Sequence, residues 1–293
     1  MSNCHTTERP FHRYYQTTMR LFVRTTIVLL IFIILTALTQ VGGVAYLLSI
    51  LLAAIINRRI RNQFARFSTM LLAFIALYSL STFLVVPVIA KQYGRVRLPM
   101  FETNGLQPLT IWTCIFNRNY TKPQLRTTAL KVAGKMKQHY PGTFVNYLDA
   151  GFPFFDNVIM PGHFSHGDGR KLDLALPYIN LTSGNRVNAT PSPIGYFVYE
   201  PPDNGEVDEQ FICSQKGFRI VDLLPGVKND HKEFVLDEQR ARSLANYFAS
   251  ESATEKIFLE PHLKARLRLT SSKIRFQGCH AARHDDHIHV QVN

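Results

Sequence analysis

The chain has 293 residues, 46% of them hydrophobic, and a formal charge of +12. Residues 1–97 carry 11 of the 33 basic residues and only one of the 21 acidic ones, so the remainder is close to neutral. Basic residues gathered beside apolar segments are topology signals, which argues against a phosphate-binding stripe and a nucleic-acid partner.

A basic tail, residues 1–24, leads into 32 residues without a charge, Thr25 to Ile56; a second uncharged run, Phe67 to Ala90, covers 24. A helix crosses a bilayer in about 20 residues, so the second run reads as one span. The first run is either one long tilted helix or two short spans turning at Gln40-Val41-Gly42-Gly43. Arg13, Arg20 and Arg24 precede it, and Arg58, Arg59, Arg61 and Arg66 separate the two runs. Basic loops favour the cytoplasmic face, which puts both clusters on one side and favours the hairpin. Three spans follow, residues 25–40, 44–57 and 67–90 of a transmembrane region 25–97, with the tail in the cytoplasm and the C-terminal part outside the inner membrane. Lys91, Arg95 and Arg97 then lie outside, against the same rule. A cleavable signal peptide fits poorly, because the apolar stretch is too long and a second one follows. Neither run holds a charged side chain, so the spans read as an anchor rather than a transport path.

A junction, residues 98–122, precedes a globular part of ordinary composition, 123–293. Leu125, Leu130, Ala133 and Met136 near helical spacing predict a helix from Pro123 to Tyr140, stopping at Pro141-Gly142. Strands are predicted at Phe144–Leu148, Lys171–Leu176 and Pro193–Tyr199. A second helix runs from Asp237, as N-cap, to Ser250, and a short one over Glu260–Leu269. The chain ends in a strand, Ile288–Val292. Mixed helices and strands point to an α+β domain. Cys4, Cys114, Cys213 and Cys279 form no C-x-x-C pair, which argues against a cysteine zinc site or a redox motif. Two of the last three could pair in an oxidising compartment, and their spacing leaves open which two.

Four of the eleven histidines fall between His280 and Val290. In the run His284-Asp-Asp-His287-Ile-His289-Val, strand alternation puts His287 and His289 on one face and Ile288 and Val290 on the other. Two imidazoles backed by apolar residues make a platform for a metal, or equally a structural histidine pair. A second cluster lies far upstream, in His163-Phe-Ser-His166-Gly-Asp-Gly-Arg-Lys-Leu-Asp173. Gly167 and Gly169 allow the chain to turn so that His166 meets Asp173, leaving Asp168 as a solvated turn residue. A catalytic zinc takes three His or carboxylate ligands and keeps one position open, and His166, Asp173 and one tail histidine supply that set.

Together, H-x-x-H-x-x-G-R-x-x-D and the downstream H-x-x-H-x-H-V resemble the penicillin-insensitive murein endopeptidase family. That family belongs with lysostaphin-type peptidases, D-Ala-D-Ala metallopeptidases and the Hedgehog signalling domain, the LAS-type group. His139-Tyr-Pro-Gly142, Lys256 to Lys264 and the Asp-Asp before His287 look like further landmarks, over roughly residues 123–293. The resemblance implies a LAS-type domain with a central antiparallel sheet and flanking helices, and Zn2+ held by His166, Asp173 and His289. It implies His287 as general base or transition-state donor with His284 close by, and His163 lining the cleft or holding a second metal. A family D-x-x-H reads Lys228-Asn-Asp-His231 here; His231 matches as a metal residue, but Lys228 replaces the Asp, which leaves a second metal open. His5, His12 and His262 match nothing and are expected at the surface. The implied reaction is zinc-dependent hydrolysis of peptide cross-links in peptidoglycan stems at the periplasmic face. A D,D- or L,D-carboxypeptidase or dipeptidase is the alternative among enzymes, and a non-catalytic zinc-containing wall-binding module the alternative outside them.

Overall fold

The computed structural model describes residues 9–158, 160–216 and 233–293. The chain divides into two compact units, one up to Val85 and one from Val86 onward.

The first unit is helical: α1 (Arg9–Thr39), α2 (Gly42–Ile56) and α3 (Gln63–Leu80). Among the described residues, three helices are long and apolar enough to cross a membrane: Tyr14–Thr39, Gly42–Arg59 and Gln63–Gln92. The first uncharged run is thus two helices, turning where Gln40 takes a φ of 64°. The glycines permit that turn to be tight. A Cβ on Gly43 would lie 2.1 Å from Thr36 Oγ1 and 2.6 Å from the Phe32 carbonyl, so no larger residue fits. Asn62 starts α3, its side chain accepting from the N–H groups of Phe64 and Ala65.

The second unit opens with α4 (Val86–Gln92) and contains α5 (Ile111–Ile115), α6 (Pro123–His139), α7 (Glu209–Lys216), α8 (Glu238–Ser250) and α9 (Pro261–Arg266). Its strands, in chain order, begin with β1 (Val96–Arg97), β2 (Leu106–Pro108), β3 (Tyr120–Thr121) and β4 (Val145–Tyr147). Then come β5 (Lys171–Ala175), β6 (Tyr178–Asn180), β7 (Arg186–Val187) and β8 (Phe234–Leu236). The last are β9 (Thr254–Phe258), β10 (Ile274–Arg275) and β11 (His287–Val292). Six strands form the main sheet in the order β10-β9-β11-β5-β4-β2. Its central pairs, β9–β11, β11–β5 and β5–β4, are antiparallel, while both edges, β10 and β2, add in parallel. A three-stranded sheet β7-β6-β8 and the ribbon β1–β3 complete the unit.

Sequence periodicity explains the layers. Leu125, Ala129, Val132, Ala133 and Met136 of α6 recur along one face and are fully buried. Asp237 caps α8 by accepting from Arg240 N at 3.0 Å, and Ala241, Leu244, Ala245 and Phe248 form its buried face. In the sheet, Leu172 and Leu174 of β5 and Ile288, Val290 and Val292 of β11 have no exposed surface. The other faces of these strands carry the polar residues described below. Each buried aliphatic side chain contributes about 1.5–3 kcal/mol, which offsets the cost of holding charged and imidazole groups on the opposite face.

Three expectations are corrected. The junction, 98–122, is built into the second unit: β2 pairs with β4, and Leu98 and Leu106 join its core. Pro193–Tyr199 is not a strand, because Gly195 and Phe197 take φ of 80° and 71° and Pro193 has no N–H to offer a ladder. His262 is buried rather than superficial, with its ring nitrogen 2.9 Å from the Glu200 carbonyl. Asp168 is a partly exposed turn residue as expected, held locally by Lys171 Nζ at 2.6 Å and Arg170 N at 2.9 Å. The cysteine question resolves as Cys213–Cys279, with Cys114 buried as a free thiol against the Tyr147 hydroxyl at 3.3 Å.

Candidate metal centre

Register builds the centre. His289 of β11 lies directly opposite Asp173 of β5, and His287 lies opposite Ala175 one pair along. Because side chains alternate, Asp173, His287 and His289 share the face that Leu172, Leu174, Ile288 and Val290 do not. His163 and His166 arrive from a 3-10 turn, Phe164–Asp168, that runs directly into β5. Gly167 and Gly169 make that turn possible: a Cβ on Gly167 would sit 2.9 Å from the Val158 carbonyl, and Gly169 has a φ of 66°. The two halves of the sequence motif therefore meet because β5 and β11 are neighbours.

Three imidazole nitrogens converge on one oxygen. Asp173 Oδ1 is 2.8 Å from His289 Nδ1, 3.3 Å from His166 Nε2 and 3.6 Å from His287 Nε2. Its other oxygen faces His163 Nδ1 at 3.1 Å and accepts from the Tyr196 hydroxyl at 2.9 Å. Asp173 itself is completely buried, and His166, His284, His287 and His289 are nearly so. A tetrahedral ion with bonds of about 2.0–2.1 Å spaces its ligand atoms about 3.3–3.4 Å apart, which the His166–Asp173 separation matches. His289 Nε2 is buried with no hydrogen-bond partner among the described residues, an arrangement that costs about 1–3 kcal/mol in a purely structural cluster. His284, His287 and His289 are also close enough to one another to hold an ion. The donor set, imidazoles and a carboxylate, suits a divalent transition metal.

Hydrogen bonds fix which nitrogen faces inward. His166 Nδ1 is 2.5 Å from the Ala150 carbonyl, which can only accept, so Nδ1 carries a proton and Nε2 is the nitrogen that faces Asp173. His287 Nδ1 contacts Asp286 Oδ1 at 2.5 Å, and the second oxygen of Asp286 accepts from Phe197 N at 2.7 Å. His287 is thus oriented by a carboxylate that is itself held. The His284 backbone N–H donates to Glu260 Oε1 at 3.2 Å, and its ring lies 5.0 Å from that of His287.

The electrostatics separate the histidines. Burial alone would raise the Asp173 carboxyl, but the charges of His166 and His287 and the hydrogen bonds from His163 and His166 hold it well below its usual range. Burial pulls His287 down, yet Asp173 and Asp286 together push it up to about 9. His289 is lowered to about 4 by burial, against the pull of Asp173. His284 is pushed well below 6.5 by burial and by its neighbours His287 and His289.

The cluster also contains residues that the motif did not mark. Asp149 Oδ2 lies 3.2 Å from His163 Nε2 and 3.3 Å from the Tyr196 hydroxyl, while Arg118 Nε lies 2.7 Å from Asp149 Oδ1. Burial, then the nearby Asp173 and Asp149, raises the Tyr196 phenol well above its ordinary value, so it is a firm donor. Tyr196 belongs to the segment expected as a strand, which instead lies across the cluster. Its ring is 5.0 Å from His163 and 5.1 Å from His287. No spacing rule points at Asp149 or Tyr196, whose roles come from tertiary proximity alone; the Asp-Asp pair before His287 was the one available signal for Asp286.

Of the seven residues singled out in sequence, the structure brings His163, His166, Asp173, His284, His287 and His289 into one cluster. His231, with Lys228 and Asp230, lies outside the described residues. No family model and no curated protein matches the chain.

Proposed function

We propose that the chain is a membrane-anchored zinc metallopeptidase of the LAS type that hydrolyses peptide bonds in peptidoglycan stems. The observation that carries this reading is the convergence of His166, His289 and His287 on one oxygen of buried Asp173, with His287 backed by Asp286. The murein-endopeptidase-like motif supplies these same residues, and three candidate membrane helices and a disulfide suit an extracytoplasmic site.

His166, Asp173 and His289 would hold the ion. When bound, zinc supplies Lewis acidity and lowers the pKa of a coordinated water from 15.7 to about 7. With the charge of Asp173 committed to a cation, that carboxylate would no longer keep His287 protonated, and His287 Nε2 would be free to accept a proton from water. Asp286 holds the Nδ1–H and stabilises the imidazolium that results, as the carboxylate of a catalytic triad does. His287 would then return the proton to the departing amine, and the neighbouring His284 would donate to the developing oxyanion.

Purified cross-linked muropeptides, incubated with the full chain in detergent, test this. Dimers should disappear without release of free alanine; alanine release would point to the carboxypeptidase alternative. His287→Ala should keep its metal and lose about 10²–10⁴-fold in rate. Undiminished cleavage by that variant would contradict the mechanism, and intact dimers with metal-loaded wild-type protein would favour a binding module.

A further inference from the structure

Arg95 is 1% exposed, one of the most completely buried large side chains of the protein. It stands three residues after α4, on a segment where the cytoplasmic preference of basic residues argues against an arginine. Its Nη2 donates to Asp156 Oδ1 at 2.6 Å and to the carbonyl of Gly167 at 2.9 Å. Nε and Nη1 are buried with no protein acceptor among the described residues. Its Nη1 end fills the space beside Gly169: a Cβ there would fall 1.2 Å from Nη1. Tyr93 packs beside it on Phe154 and Phe155, at ring distances of 5.4 and 5.0 Å.

Gly167 follows His166 directly, and its carbonyl also accepts from Asn157 N at 3.2 Å. Arg95 therefore grips the peptide next to His166 and covers the far end of the same turn at Gly169. A buried guanidinium with two unpaired donors is a net cost to folding, and an apolar side chain of similar size is often neutral or stabilising in its place. Such strain is retained where geometry matters to function. We infer that Arg95 is a positioning residue that braces the His163–Gly169 turn so that His166 faces Asp173, tying the metal site to the first residues after the last membrane helix. This rests on the zinc reading of the centre.

The experiment uses the full chain in detergent, with Arg95→Met, Arg95→Lys and Asp156→Asn, and reads two quantities. These are the Tm of the metal-free protein and the zinc dissociation constant by competition with a chromogenic chelator. Loss of an outer partner of a metal ligand weakens binding by about 10–100-fold, so Arg95→Met should bind zinc at least about tenfold more weakly. Its metal-free Tm should be unchanged or higher. Arg95→Lys keeps the charge but cannot reach both acceptors, and should resemble Arg95→Met in zinc affinity. Asp156 is half-exposed, so Asp156→Asn tests the same fork without disturbing the core and should also weaken zinc binding. Unchanged zinc affinity with a lowered Tm would make Arg95 a purely structural brace and overturn the inference. If the Arg95 variants do not fold, unchanged affinity in Asp156→Asn overturns it equally. Wild-type protein that binds no zinc would instead remove the reading of the centre on which it rests.

Discussion

His287 and His289 are two residues apart on one strand, both buried, yet the same carboxylate acts on them with opposite outcomes. His287 has Asp173, Asp286 and Asp285 near it and prefers its proton; His289 has only Asp173, which burial outweighs, and gives it up. The signs define a pH profile for the metal-free protein. A folded pKa of about 9 against 6.5 makes His287 stabilising below pH 6.5, with that contribution lost as pH rises through 9. A folded pKa of about 4 makes His289 favour the neutral form, a contribution present above pH 6.5 and lost as pH falls towards 4. Metal-free protein should therefore have its highest Tm near pH 6.5, and added zinc should flatten the alkaline limb by engaging Asp173. Thermal melts across pH 4–10 check this, and a Tm that climbs steadily from pH 7 to 9 without metal would contradict it.

At the scale of elements, β11 serves two purposes, because alternation gives it a core face and a site face. Ile288→Ala removes fully buried side-chain volume and should cost about 2–5 kcal/mol, measured by urea unfolding, while leaving the metal residues in place. The Cys213–Cys279 bond joins α7 to the loop before that strand across 66 residues, and reducing it should lower stability by about 2–4 kcal/mol. This strand shows why part of the centre was legible in sequence. Alternation in His287-Ile-His289-Val and the glycine-spaced turn before Asp173 are local patterns, as are the caps and faces of α6 and α8. Asp149, Tyr196 and Arg118 carry no such pattern. Tyr196 enters through a segment whose apolar and aromatic residues look like a strand, while positive φ at Gly195 and Phe197 turns it over the cluster instead. The edge strand β2 was hidden for a related reason: three residues in a proline-containing stretch give no period, and only pairing with β4 defines them.

For the whole molecule, the proposed reading has three spans, with the N-terminus in the cytoplasm and the candidate centre across the membrane from it. Single cysteines at Ser2 and Asn204, probed with a membrane-impermeant thiol reagent in intact cells, should label only at Asn204. Labelling of both from the same side would require an even number of crossings. On the proposed reading, that placement would give the centre access to the wall. That function depends on one ion being held where the two halves of the motif meet. The most direct test is metal content of the full chain purified without added metal, before and after chelation, in wild type and in His166→Ala, Asp173→Ala, His289→Ala and His287→Ala. One zinc per chain is expected in wild type and in His287→Ala, lost on chelation and absent from the other three variants. A well-folded wild type without zinc, or zinc retained by Asp173→Ala, would contradict the account.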